Sequence, residues 1–377
     1  MNAARRALLL GLAGLPCGGF TQPVQPVQPL QPVQRGRALA FPRDHGAHPD
    51  ARTEWWYATG WLGTEAAPTH GFQLTFFRSR TDLARDDPSR FAPRHLLFAH
   101  AALTDLGARR HHHAQRIARW SGDEAARPAF ASTRDAAVAI GDWSFAREHE
   151  RERERWRSNL PAGDFALALD LARTQPLLLQ GDAGFSRKGP EERQASHYYS
   201  APQLAATARI TLAGRRLQSS GRAWLDHEWS EELLHPDAVG WDWIGMNLFD
   251  GSALTAFALR RADGSALWTG GSWRDGAAAA AGSAAARSFE PGELRWTAGR
   301  RWRSPATRAE YPMQWQLATP AGRFEVRSLL DAQELDARGS SGAVYWEGLA
   351  ELLDGRGQRV GLGYLEMTGY AARLRVG

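Results

Sequence analysis

The chain has 377 residues, 43% of them hydrophobic, enough for two domains or one large one, and its 16 Trp, 38 Gly and 20 Pro suit twisted strands and tight turns better than long helices. The formal charge of +5 and pI near 9.8 come from arginines scattered along the chain, with Lys188 the one lysine; no basic stripe with interleaved aromatics is present, so nucleic acid is not an expected partner. The one cysteine, Cys17, leaves no internal disulfide to expect.

Residues 1–19 read as an export signal: Arg5 and Arg6, an apolar run over residues 7–15, then Cys17 and two glycines. The run is too short for a transmembrane helix. Arg-Arg followed by Ala-Leu-Leu partly matches the twin-arginine pattern, and a lipid anchor at Cys17 is the competing reading, poorly served by Gly14 and Pro16. The expected location is periplasmic or envelope-associated. Residues 20–40 form a Pro/Gln-rich tether in which Gln-Pro-Val/Leu recurs every three residues over 22–34, an extended spacer of about 3.1 Å per residue.

TEWWYATGW, residues 53–61, opens the folded body as a strand, with Glu54 and Trp56 on one face and Trp55 and Tyr57 on the other. Phe72, Leu74 and Phe76, and later Phe165, Leu167 and Leu169, alternate as in half-buried strands. His111, His112 and His113 read as a solvated loop or adventitious metal affinity; no metal site and no cofactor are expected. REHERERERWR, residues 147–157, puts like charges four apart, which suits a solvated edge or loop rather than a helix. Asp-Gly pairs at 250–251, 263–264 and 354–355 predict hairpins. GAAAAAGSAAA, residues 276–286, reads as an insertion, helical or without fixed structure. A boundary is expected at residues 234–240, and TEWWYATGWL and GWDWIGMNLFDG echo each other across it. The fold class is therefore all-β, with tandem antiparallel β domains of related construction over residues 41–234 and 235–377, a build that small closed barrels would suit.

Two stretches concentrate chemistry. In GRAWLDHEWSEELL, residues 221–234, Asp226 and Glu228 face one way on a strand and His227 and Trp229 the other, which fits either a buried ion pair at a domain junction or a catalytic cluster. In SHYYSAP, residues 196–202, one of Tyr198 and Tyr199 points inward, to orient a ligand or to bond backbone. No nucleophile elbow, phosphate loop or dinucleotide fingerprint occurs, so hydrolase, kinase and dehydrogenase readings lose support.

FPRDHGAHPDARTEWWYATGWL (41–62), LQGDAGFSRKG (179–189), HYYSAPQL (197–204), GRAWLDHEWSEELL (221–234) and GWDWIGMNLFDGSALTAFALRRADG (240–264) resemble the AttH and carotenoid 1,2-hydratase family of lipocalin-like proteins. The resemblance implies two lipocalin-like barrels packed together and an apolar ligand, an isoprenoid, carotenoid or acyl lipid, held in a Trp-rich barrel or between the two. Members that are hydratases add water across a terminal alkene, which needs an acid, a surface that stabilises a tertiary cation and a positioned water. Aromatic faces suit the cation, and a carboxyl walled in by Trp keeps its proton. Asp226, Glu228 and Glu54 are the candidate acids. The His and Trp of the hydratases' H-x-W element fall on His227 and Trp229. Ligand contacts are expected from Trp56, Tyr198, Tyr199, Trp229, Trp241 and Trp243. The sequence departs from the hydratases on the strand SALTAFALRR, which carries Phe257 where a Tyr is expected and no carboxylate. Two functions follow: an exported hydro-lyase of the carotenoid 1,2-hydratase kind, or a noncatalytic lipid carrier working with an envelope ABC transporter at the membrane surface.

Overall fold

Alternating apolar residues and turn-forming Asp-Gly pairs build an almost entirely β molecule, seen here in a computed structural model that describes residues 29–374 except 82, 84–86, 88, 90, 91, 126, 151, 152 and 233. The leader with Cys17 and the first part of the tether lie outside the described residues. The last part of the tether runs along the body, where Gln31 N–H donates to Asp50 O at 2.9 Å and Arg35 pairs with Asp182 and Glu192.

Among the described residues, thirteen strands between residues 53 and 230 form one antiparallel sheet. At its centre Thr53–Gly63 lies between Pro68–Arg80 and Arg215–Ser230, and the latter pairs onward with Ala195–Leu212. The sheet curls until its ends, Arg110–Trp120 and Ala129–Ala131, meet, giving a near-closed barrel filled by Trp56, Phe72, Phe76, Trp120, Trp143 and Trp156 among others. Ten strands between residues 240 and 367 form a second antiparallel sheet around its own core, which includes Ile244, Met246, Trp315, Trp346 and Leu365. A third apolar cluster, with Tyr57, Trp61, Trp224, Trp243, Phe257 and Tyr364, lies where the outer faces of the two sheets pack together. Burial of each such side chain contributes about 1.5–3 kcal/mol, so this contact is a core in its own right.

The three Asp-Gly pairs all lie in turns between paired strands. Gly251 and Gly264 take φ of +87° and +84°, which side chains resist. In the third turn the left-handed position falls on Gly357, at +77°, while Asp354 accepts from the amides of Arg356 and Gln358. The Arg/Glu run forms two paired strands, Trp143–Glu150 and Arg153–Pro161, rather than a loop. Its cations find carboxylates across the sheet, Arg147 on Glu154 at 2.8 Å and Arg155 on Asp170 at 2.9 Å, which offsets the like-charge spacing. His111–His113 also lie on a strand, Arg110–Trp120, not in a loop. The alanine-rich insertion contains one short helix, Gly276–Ala280, whose N-cap Asp275 accepts from Ala278 N–H.

Candidate functional site

A cavity of about 350 Å³ lies between the outer faces of the two sheets, and not inside either. Strand registry explains its lining. On the first sheet, Phe98, Phe77, Trp55, Glu228 and Tyr198 form one cross-strand row, and His100, Thr75, Tyr57 and Asp226 form the next. On the second sheet the facing row is Phe257, Trp243, Glu366 and Glu347. Side chains two apart share a face, so each strand delivers its alternate residues to the same space. Leu234 from the inter-unit segment, Trp241 from Gly240–Leu248, Ser340 and Ser341 from a turn, and Thr368 and Leu374 after the last strand also line it.

Four carboxyl groups face this aromatic space. Asp226 accepts hydrogen bonds from Ser200 Oγ at 2.5 Å, Tyr198 Oη at 2.8 Å and Trp224 Nε1 at 2.7 Å. Burial nevertheless pushes it up to about 7, outweighing the three donors, with the neighbouring Glu228 charge adding to the rise. Trp243 Nε1 donates in turn to Tyr198 Oη at 3.3 Å, so an indole, a phenol and a carboxyl form a chain from the second sheet to the first. Glu366 is also raised to about 7 by burial, the Trp241 hydrogen bond opposing and the charges of Asp226, Glu228 and Asp242 assisting. Glu347, directly opposite Glu366 in the sheet, is pushed well above the usual carboxylate range by burial and by Glu366. Glu347 and Tyr57 are buried against each other, and the Tyr57 hydroxyl opposes the rise of the Glu347 carboxyl. The fourth carboxyl, Glu228, pairs with Lys188 Nζ at 3.0 Å.

The structure brings Asp226, Glu228, Tyr198, Trp241 and Trp243 together at the cavity. It places Glu54, Trp56, Tyr199, His227 and Trp229 elsewhere, because in these strands they occupy the alternate positions and point into the first barrel. There they hold the segment after the tether. Trp56 Nε1 donates to His45 O at 2.9 Å, Tyr199 Oη bonds His45 Nδ1 at 2.6 Å, and Trp229 stacks on His48 with ring centroids 3.7 Å apart. Glu54 meets Arg78 Nε at 2.7 Å, His48 Nδ1 at 2.7 Å and His227 Nε2 at 3.0 Å. Burial alone would raise Glu54, but the Arg78 and His48 charges and the imidazole hydrogen bonds hold it well below the usual carboxylate range. It is an ionised partner and not a proton donor, which corrects the expectation that Glu54 is an acid beside the ligand. His227, lowered to about 4 by burial, is neutral and faces Glu54 rather than the cavity.

His48, Glu54 and His227 bring one donor atom each within 4.8 Å, the one such group among the described residues. Arg78 on the second oxygen of Glu54 already supplies the positive charge that a cation would bring. Glu347, Glu366, Tyr57, Trp55 and Lys188 were not expected at the site. For the two glutamates the available signal was a charge inside a mostly apolar strand, Glu347 in AVYWEGLAELL and Glu366 in RVGLGYLEM, since a carboxylate on a buried strand requires a partner or a purpose.

The profile of a family described as AttH-like matches residues 32–370. A crystal structure of a candidate AttH from Nitrosomonas europaea is 45% identical, aligned over 90% of this chain and 100% of its own, with a TM-score of 0.80. Kievitone hydratase from Nectria haematococca shares the fold at 15% identity, covering 93% of this chain and 98% of its own with a TM-score of 0.65. CghA solved with Sch210972 does so at 12% identity, covering 85% and 89% with a TM-score of 0.52. These neighbours identify the two-sheet arrangement as lipocalin-like. No curated protein matches the chain.

Proposed function

The chain belongs to the AttH-like family, and from that premise we propose that it binds a long apolar ligand of isoprenoid, carotenoid or acyl type in the cavity between its sheets and protonates an alkene there. The observation that carries this reading is the set of proton-retaining carboxyls, Asp226, Glu347 and Glu366, facing aromatic walls. An acid whose proton is held near neutral pH can transfer it to an alkene carbon. The tertiary cation so formed lies against Trp55, Trp241 and Trp243, whose faces attract positive charge by roughly 0.5–2 kcal/mol without trapping it covalently. Glu366 is the preferred donor, because it is half-buried and reachable from the cavity while Asp226 is covered by three donors. Asp226, through Tyr198, is suited to hold the attacking water. The fold shared with kievitone hydratase agrees with hydration as the reaction class.

Export by the leader at residues 1–19 belongs to the same proposal, with the ligand met at the envelope. A second reading, a noncatalytic carrier that hands its ligand to an envelope ABC transporter, is favoured by one observation: Ala253–Arg260 presents Phe257 and Leu259 to the cavity and no acid. Native mass spectrometry of protein taken from its own envelope, then incubation with isoprenoid and polyene alkenes in heavy-oxygen water, tests both. Label incorporated by the wild type and lost in Glu366→Gln supports the hydratase. Retained ligand without incorporation leaves the carrier, and a cavity that takes up no apolar compound sinks the whole reading.

A further inference from the structure

Lys188 shows what this cavity wall does with positive charge. Its ammonium sits 3.0 Å from Glu228 Oε1, 4.6 Å from the Tyr198 ring centroid and 4.3 Å from that of Phe257, and it is 5% exposed. One carboxylate, two aromatic faces and the Ser186 hydroxyl, which accepts from Lys188 Nζ at 3.2 Å, therefore hold a desolvated cation. Across the space, Glu347 and Glu366 stand directly opposite each other on adjacent strands, flanked by Tyr57, Tyr345, Trp241 and Trp243. That wall offers the same combination, with twice the carboxyl groups. No ion pair engages either glutamate among the described residues. Like charges directly opposite in a sheet destabilise it, so the pair stays protonated when alone, and a cation placed between the two favours their ionised form. Glu347 and Tyr57, buried against each other, face this position.

We propose that the cavity is selective for positive charge, and that its ligands are hydrophobic molecules bearing a cation at the end that reaches Glu347 and Glu366. The shared chemistry is an onium or carbenium centre on an apolar chain: a protonated amine bound at rest, or the carbocation formed in passing from an alkene. This rests on the reading that the cavity between the sheets is the ligand site. A neutral apolar molecule fills the same volume but leaves the two facing carboxyls uncompensated. An anionic one opposes ionisation of Asp226, Glu347 and Glu366 and meets Lys188 as the one basic side chain other than His100 among the lining residues.

The test compares three probes of similar shape by isothermal titration on the full chain: N,N-dimethylgeranylamine, geranyl methyl ether and geranic acid. The amine is expected to bind at least about tenfold more tightly than the ether, and the acid more weakly than both. The preference should grow as pH rises from about 6 to about 8, because Asp226 and Glu366, each raised to about 7, then ionise among the facing Glu228, Glu347, Asp242, Lys188, His100, Tyr57 and Tyr345, while the ether's affinity stays flat. In the Glu347→Gln, Glu366→Gln double variant the amine should fall to the ether's affinity and the ether should still bind, which shows that the cavity has kept its shape. If wild-type protein binds amine and ether equally, charge selectivity is overturned and the cavity remains an apolar site. If none of the three binds, the ligand-site reading falls with it.

Discussion

Glu54 and Glu366 are the same residue type, one fully buried and one half-buried, with opposite protonation. Glu54 has a guanidinium and two imidazoles within 3.0 Å and is held ionised; Glu366 has other carboxyls for company and keeps its proton. Removing Glu54 leaves the buried Arg78 without its carboxylate, with the His48 and Ala51 carbonyls among its remaining acceptors, so Glu54→Ala is expected to cost about 3–5 kcal/mol in urea unfolding, with ligand uptake by the remaining folded protein unchanged. The pH signs differ accordingly. A carboxyl depressed in the fold, as Glu54 and Asp44 (about 2) are, contributes stability above its unfolded value that is lost as pH falls through the folded one. His227, lowered to about 4, adds to the acid loss, because the unfolded imidazole takes up a proton before the folded one does. Glu366, raised to about 7, acts the other way: its contribution is fully present below the unfolded value and declines as pH rises through neutrality. Glu366→Gln should therefore gain stability relative to wild type at about pH 8 and show little gain at about pH 4, by urea titration at each pH.

At the scale of the element, Arg215–Ser230 does two jobs with one strand. Asp226 and Glu228 face the cavity, while His227 and Trp229 face the barrel and secure the segment after the tether. That alternation was legible in LDHEWS, because the period of a strand is a local property. Which face would meet a ligand was not legible, since it depends on where a second sheet docks. Phe257 shows the same limit from the other side. Its strand lacks the acid expected from the resemblance, yet Trp243 and then Glu366 and Glu347 follow it in the same row, so neighbouring strands bring carboxyls to the position by registry that no one-dimensional motif records. Close backbone approach sets the rings. A Cβ at Gly245 would stand 2.4 Å from the Trp243 indole and 3.1 Å from Trp224. Gly245→Ala should push that indole off the Tyr198 hydroxyl, cost about 1–3 kcal/mol in unfolding and weaken binding of a neutral isoprenoid in titration calorimetry.

For the whole molecule, the site exists only where two units meet. The all-β class and the hairpin turns could be read from alternation and from Asp-Gly pairs, whereas the back-to-back packing could not, because Tyr57, Trp61, Trp224 and Trp243 look like ordinary core residues of separate barrels. We propose the division near residues 234–240 as the seam. Residues 41–234 or 235–374 expressed alone would expose that cluster together with the buried acids. Each half is expected to self-associate or bind apolar dyes, as measured by size-exclusion chromatography with light scattering, and a monomeric, dye-negative half would count against the shared core. A ligand seated between the units should raise the melting temperature of both in a single transition, since it binds only the assembled state. The cavity also concentrates chromophores: Trp55, Trp241 and Trp243 line it, and Tyr57 lies 5.3 Å from the Trp243 ring. Indole emission is quenched by a nearby protonated carboxyl and shifts in colour as its surroundings dry, so the protein carries its own optical gauge of whether its acids hold their protons and whether the space beside them is filled.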